Sequence, residues 1–226
     1  MNATTMMAEL QADPEAFLRH YVVSIAGGNP NLAQPFEKQA MFQIQTGHSQ
    51  SYAGFQTGLA GLMSKTKDRP MIRFVKLGAN SAAAAGDDVI DAWYVPMAQR
   101  TTRLVNRHTL LPGNGGPDIA LTSQLSGCTF SVGAAGADGG RIVAHIQPPK
   151  GAQPTAADYR SMRDAASLGE MEHFFDRESR PGATSYGDPG NRATIIGVRR
   201  QGSWSFYAQT YSVLERRLHR VERLNS

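Results

Sequence analysis

Thr122-Ser-Gln-Leu-Ser-Gly-Cys128-Thr-Phe-Ser-Val132 leads into a turn carrying Gly136, Asp138, Gly139 and Gly140, and Arg141-Ile-Val-Ala-His145-Ile-Gln147 leads out of it. Two β-type runs around a glycine-rich turn read as a hairpin. The first run holds the single cysteine of the chain. The midpoint of positions 128 and 145 is 136.5, inside the turn. An antiparallel hairpin centred there sets Cys128 opposite His145 on one face, with Cβ atoms about 5 Å apart. An irregular turn shifts this register by a residue or two and still delivers a thiol and an imidazole to one spot, the minimum apparatus of a cysteine nucleophile.

The chemistry of the pair is specific. A thiol of pKa ~8.5 is only slightly ionised at neutral pH, and the thiolate is the nucleophile. A neighbouring imidazole takes the proton and later returns one to a leaving amine. Gly127 has no side chain, so a substrate carbonyl can approach the backbone there, with the Cys128 N–H as an oxyanion donor. Spacing alone leaves a second reading open: a lone cysteine is often an inert, buried, small hydrophobe, and a strand histidine is often simply packed.

Leu125-Ser126-Gly127-Cys128 with a strand histidine soon after resembles the signature of the cytotoxic necrotizing factor catalytic domains, above all the compact single-domain members of that family. The similar features are Thr122-x-x-Leu125-Ser126-Gly127-Cys128, Asp138-Gly139-Gly140 and His145-Ile146. Weaker echoes are Trp93-Tyr94-Val95-Pro96, Ile196-Gly197-Val198 and Ser205-Phe206-Tyr207. The likeness spans roughly residues 70 to 212 and leaves the first ~65 uncovered; the loop from cysteine to histidine is longer than in the compact members. The resemblance implies a bacterial toxin or secreted effector that deamidates a glutamine of a host protein, with Cys128 as nucleophile and His145 as general acid and base. It also implies a main-chain carbonyl orienting the histidine. Thr122 matches that position, so its side chain is not expected to matter. The implied fold is α/β in the α+β sense: one domain, a central β-sandwich of mixed sheets flanked by helices. Residue spacing adds the expectation of a helical N-terminal extension over 1–68, packed on the core, ahead of a deamidase-like unit over 69–226.

Composition agrees with such a chain. With 226 residues it suits one domain with a sizeable core. Its apolar content of 41% and charged content of 19% are those of an ordinary globular protein, and 23 glycines with 12 prolines favour a turn-rich β fold. One cysteine excludes an internal disulfide and a multi-cysteine zinc site, and fits work in a reducing cytosol. The net charge of +4 and pI near 9.4 read first as a solubility charge. The sequence has no apolar run of membrane-spanning length and no conventional signal peptide. The resemblance implies export by dedicated machinery and action in the host cytoplasm.

In chain order, Asp13-Pro14-Glu15 starts a helix that carries Phe17, Tyr21 and Ile25 and stops at Gly27-Gly28. Phe36, Ala40 and Ile44 predict a helix over about 36–45, and a third is expected over 52–63. Strands are expected over 71–77 and 89–95, then Arg100 to Asn106 with poorer alternation, then a loop over 111–117 near the hairpin, bordering the substrate site. Thr155-Ala-Ala-Asp158 opens a helix to about Leu168. Residues 181–191 read as a surface loop, 192–198 and 203–211 as a hairpin around Gln201-Gly202, and 213–224 as either helix or strand. His173, with Glu172 and Asp176, reads as packed or solvated rather than as a metal site.

No phosphate loop, dinucleotide motif or HExxH is present, so no cofactor and no metal are expected. The expected partner is a host protein substrate, with no nucleic acid, no membrane and a monomeric chain. The resemblance implies as target an RNA helicase of translation initiation or a Rho-type GTPase. Alternatives are a cysteine peptidase, acyltransferase or transglutaminase using the same dyad, and a binding module without chemistry.

Overall fold

The computed structural model describes residues 2–26, 39–53, 68–77, 88–95, 108–147, 155–158, 160–161, 171–177, 184–187, 190–212 and 217–225. Helices α1 (Ala3–Ala12) and α2 (Pro14–His20) lead into strands β1 (Val22–Ala26), β2 (Gln39–Ala53), β3 (Asp68–Lys76) and β4 (Val89–Val95). Then come β5 (His108–Leu111), β6 (Ile119–Thr122), β7 (Thr129–Ala135), β8 (Arg141–Ile146), β9 (Met171–Asp176), β10 (Thr184–Ser185), β11 (Asn191–Arg200), β12 (Ser203–Ser212) and β13 (Arg217–Arg223).

Among the described residues the strands make two mixed sheets. The larger runs β1-β3-β2-β13-β12-β11-β6-β4, and β2 also pairs with β4, which curls the sheet into a nearly closed barrel. The smaller runs β10-β9-β7-β8-β5 and lies against the barrel wall. Period-two alternation builds both layers. On β11 and β12, Ile196, Val198 and Tyr207 face the barrel interior, while Ile195, Phe206 and Ala208 face the smaller sheet. Gly197 sits opposite Phe206, and a Cβ on it would lie 2.8 Å from that ring. The β11–β12 hairpin turns on Gln201 (φ 49°) and Gly202 (φ 77°), the two positive φ values of a tight hairpin turn. The expected α+β sandwich of mixed sheets, with helices at its N-terminal end, is therefore the observed fold.

The N-terminal region departs from the reading in detail. Asp13 does cap α2, its Oδ1 accepting from Ala16 N at 3.0 Å. The helix ends at His20 rather than at Gly27, and Val22–Ala26 pairs with β3. The cause is tertiary. The buried Gln209 of β12 accepts from Val23 N at 2.7 Å and donates to the Leu18 and Tyr21 carbonyls, each at 2.6 Å. Thr194 donates to the Val23 carbonyl at 2.8 Å, so the extended chain has its backbone groups satisfied from the sheet. Helix α1, capped by Asn2, has no counterpart in the sequence reading.

The helix expected over 36–45 is overturned across its described part, which is strand: Phe42 and Ile44 are buried while Met41 between them is exposed. Spacings of four fit both periods, and alternation wins here because β2 is paired on both sides. Residues 52 and 53 end β2, and 54–63 lie outside the described residues, as do 80–87, 100–106 and 162–168. The strands over 71–76, 89–95, 192–198 and 203–211 are observed. Asp158 Oδ2 accepts from Thr155 N at 2.7 Å, the reciprocal cap expected there. Within the segment read as a surface loop, Thr184–Ser185 is a strand. The tail is strand β13, paired with β12.

Candidate active site

The β7–β8 hairpin carries the candidate pair. Thr129 pairs with Ile146, Phe130 with His145 and Val132 with Val143, and a bulge follows before Ala135 meets Arg141. His145 is thus opposite Phe130, and the same register, carried one residue past β7, sets Cys128 against Gln147. The symmetric register expected from the midpoint is displaced by two positions. The displacement comes from the turn: Gly139 (φ 80°) and the Gly136 N–H to Gly140 carbonyl bond at 2.8 Å centre it later in the chain. A shift of two keeps the face. Cys128 and His145 are diagonal neighbours on the side of the sheet that faces the barrel, a geometry of ~7 Å between Cβ atoms. Both are buried, Cys128 at 2% exposure and His145 at 0%.

His145 is held from the other sheet. Thr122, at the end of β6, donates its hydroxyl hydrogen to the Val95 carbonyl at 2.8 Å. A hydroxyl has one hydrogen, so the 2.7 Å contact between Thr122 Oγ1 and His145 Nδ1 is donated by the imidazole. That fixes the Nδ1–H tautomer and leaves Nε2 as the basic nitrogen, buried and without a hydrogen-bond partner among the described residues. Burial pulls the His145 pKa down to about 3, so the ring is neutral near pH 7. The structure therefore changes the expectation for Thr122. Its side chain, not its carbonyl, touches the histidine, because Thr122 and His145 point into the same inter-sheet layer. The carbonyl that takes part is that of Val95, the Cα partner of Thr122 on β4.

The cysteine turn is anchored on both flanks. Leu125 makes a two-way backbone bridge with Ala193 of β11, with N–O distances of 2.8 and 3.1 Å. Gly127 has φ 148°, a conformation that a side chain rarely adopts. Arg177 donates to the Ser126 carbonyl at 2.9 Å, and the buried Tyr186 hydroxyl donates to the Cys128 carbonyl at 2.9 Å. The Arg177 guanidinium also lies 5.8 Å from the Tyr186 ring centre. Neither residue stood out in the sequence, because both approach from segments just past β9 and β10, far along the chain. Val95 was visible only as part of a strand ending at proline.

The loop over 111–117 does not border this site. Leu111 pairs with Arg141, at the turn end of the hairpin, and a Cβ on Gly113 would fall 1.6 Å from the Asp138 carbonyl oxygen. Arg199 ties the same loop down, donating to the carbonyls of Pro112, Gly115 and Gly116 and pairing with Asp118 at 2.8 Å. His173 is on β9, opposite Val132, and the described residues contain no group of three or more metal-ligating side chains.

No protein-family profile matches the chain, and no curated protein matches it. Among solved structures it is similar to the C-terminal domain of CNFy from Yersinia pseudotuberculosis, with a TM-score of 0.48, 10% identity and 99% of each chain covered.

Proposed function

We propose that this protein is a Cys–His acyl-transfer enzyme, a toxin-type deamidase that converts a glutamine side chain of a host protein to glutamate. One observation carries the reading. A buried imidazole, held by Thr122 through Nδ1, keeps an unprotonated Nε2, without a hydrogen-bond partner among the described residues, on the face that also carries the single thiol. The resemblance of Leu125-Ser-Gly-Cys128 and His145 to the cytotoxic necrotizing factor signature supports glutamine as the substrate.

In the proposed cycle Cys128 Sγ attacks the carboxamide carbon while Nε2 of His145 takes the thiol proton. Backbone N–H groups around Gly127 and Cys128 receive the oxyanion. The imidazolium protonates the departing nitrogen, ammonia leaves, and a thioester remains on Cys128. Water then attacks, His145 accepts its proton, the C–S bond breaks, and the proton returns to sulfur. The net change is one water consumed, one ammonia released and one negative charge added to the target. No cofactor enters the cycle. A primary amine replacing the water gives transglutamination. The residues Leu125-Ser-Gly-Cys128 and His145 also resemble the motif of Burkholderia lethal factor, and on that resemblance we favour an RNA helicase of translation initiation over a Rho-type GTPase as target. The reducing host cytosol is the compartment that keeps the thiol usable.

The test is a eukaryotic lysate incubated with the wild type and with Cys128→Ser, searched by mass spectrometry. Glutamine-to-glutamate conversion at a few sites by the wild type alone is the expected result. Burial of both groups favours one other reading, a binding module with Cys128 in its core. No converted site, together with a Cys128 inert to alkylation in the folded protein, would establish that alternative.

A further inference from the structure

Gln147 is the third polar side chain that the hairpin register brings to the Cys128 face. The register that pairs Thr129 with Ile146 and Phe130 with His145 sets Gln147 across from Cys128, and alternation along the strand keeps Gln147 on the side of His145. The residue is 6% exposed, and its Oε1 is buried with no hydrogen-bond partner among the described residues. A buried carbonyl acceptor left unmatched is destabilising. An N–H group that entered beside Cys128 would satisfy it.

We propose that Gln147 is a specificity-determining residue that binds the primary carboxamide of the substrate, its Oε1 accepting an N–H of the substrate –NH2. The inference rests on the Cys–His reading above and deepens it. A carboxamide nitrogen carries two hydrogens, one for Oε1 and one free to turn with the group. Esters, carboxylates and N,N-dialkylated amides have no hydrogen to offer there. They leave the acceptor bare or, as with the product carboxylate, set one acceptor against another. The site thus selects a primary amide over other acyl groups and disfavours rebinding of the glutamate product, by the penalty that attends any unmet buried partner.

Alkylation of the single cysteine tests this without a known target. The probes are iodoacetamide and 2-iodo-N,N-dimethylacetamide, each losing iodide as the Sγ–C bond forms and His145 takes the thiol proton. The first carries the two N–H groups and the second none. Rates are read by intact mass in the folded protein and normalised to glutathione. The wild type is expected to prefer iodoacetamide by about ten-fold, the factor of one satisfied hydrogen bond. Gln147→Leu is expected to abolish that preference while leaving the dimethyl rate within about two-fold, and Gln147→Asn is expected to retain part of it. Equal preference in wild type and Gln147→Leu, with Cys128 reactive, overturns the role of Gln147 and leaves the dyad standing. A proportional loss with both probes overturns it in favour of a structural role. A Cys128 that reacts with neither probe in the wild type overturns the enzyme reading itself.

Discussion

Thr122→Val removes one oxygen and keeps the shape, so it isolates what the hydroxyl does. Two groups lose their partner. His145 Nδ1–H loses its 2.7 Å acceptor and the Val95 carbonyl its 2.8 Å donor, both in a layer where His145 is fully buried. A buried donor left unmatched costs about 1–3 kcal/mol. The ring then escapes part of that cost by shifting its hydrogen to Nε2 or by turning, and either removes the base from the thiol. If the same 1–3 kcal/mol separates the competent tautomer from the incompetent one, reactivity falls roughly 5- to 150-fold. The assay pairs the iodoacetamide rate of Cys128, followed by intact mass, with urea unfolding of the same samples. Thr122→Val is expected to lose about 1–3 kcal/mol of stability and at least about five-fold in rate. Thr122→Ser, which keeps the oxygen, is expected to stay within about three-fold of the wild-type rate, since its hydroxyl accepts and donates in the same way. A Thr122→Val protein that alkylates at the wild-type rate would refute the reasoning, and so would a Thr122→Ser protein as slow as the valine variant.

Other consequences are open to measurement. His145 is charged in the unfolded chain below pH 6.5, whereas burial keeps it neutral in the fold down to about 3. Its contribution to stability is therefore complete above pH 6.5 and is lost as pH falls through that window, at about 1.4 kcal/mol per pH unit. Denaturant midpoints of wild type and His145→Gln, compared from pH 7 to 4, are expected to converge or cross on the acid side; parallel curves would mean that His145 is not buried neutral. Gly113→Ala puts a Cβ 1.6 Å from a backbone oxygen of the hairpin turn. It is expected to cost more than about 2 kcal/mol, since overpacking against backbone cannot relax by a rotamer change. The turn end lies ~25 Å along the strand from Cys128, so the alkylation rate of the folded fraction is expected to stay at the wild-type value, and a changed rate would put the 111–117 loop back beside the site.

The hairpin was legible because its signals are local. Glycines mark the turn, apolar runs mark the strands, and parity alone puts residues 128 and 145 on one face whether the register is symmetric or displaced by two. What the sequence hid arrives from elsewhere in the chain. Phe36, Ala40 and Ile44 fit a helix period, yet the described residues from 39 on are strand because β3 and β4 supply partners on both sides. Val22 to Ala26 reads as the tail of a helix until Gln209, 186 positions past Val23, satisfies its backbone. The Thr122 hydroxyl failed to stand out for the same reason. A threonine at a strand end is ordinary until the other sheet sets an imidazole 2.7 Å from it. Tyr186 and Arg177 hold the cysteine turn by its carbonyls, and no local pattern announces a residue whose partner is a backbone oxygen 58 or 51 positions away.

Burial and base strength oppose each other in this site. A ring whose pKa burial pulls down to about 3 accepts a proton reluctantly. Under the proposed function, a substrate must be admitted to a pair that is buried at rest. Its entry would bring water or substrate dipoles to Nε2 and relieve the desolvation that depresses the ring, raising its pKa. On that proposal access and activation are one event. The Thr122 hydroxyl, committed as donor to the Val95 carbonyl, accepts from Nδ1 and so fixes the tautomer of the buried ring. On the same proposal such a dyad gains reactivity only when something enters beside it, and Gln147, whose Oε1 has no hydrogen-bond partner among the described residues, is the group proposed to sense whether what enters is an amide.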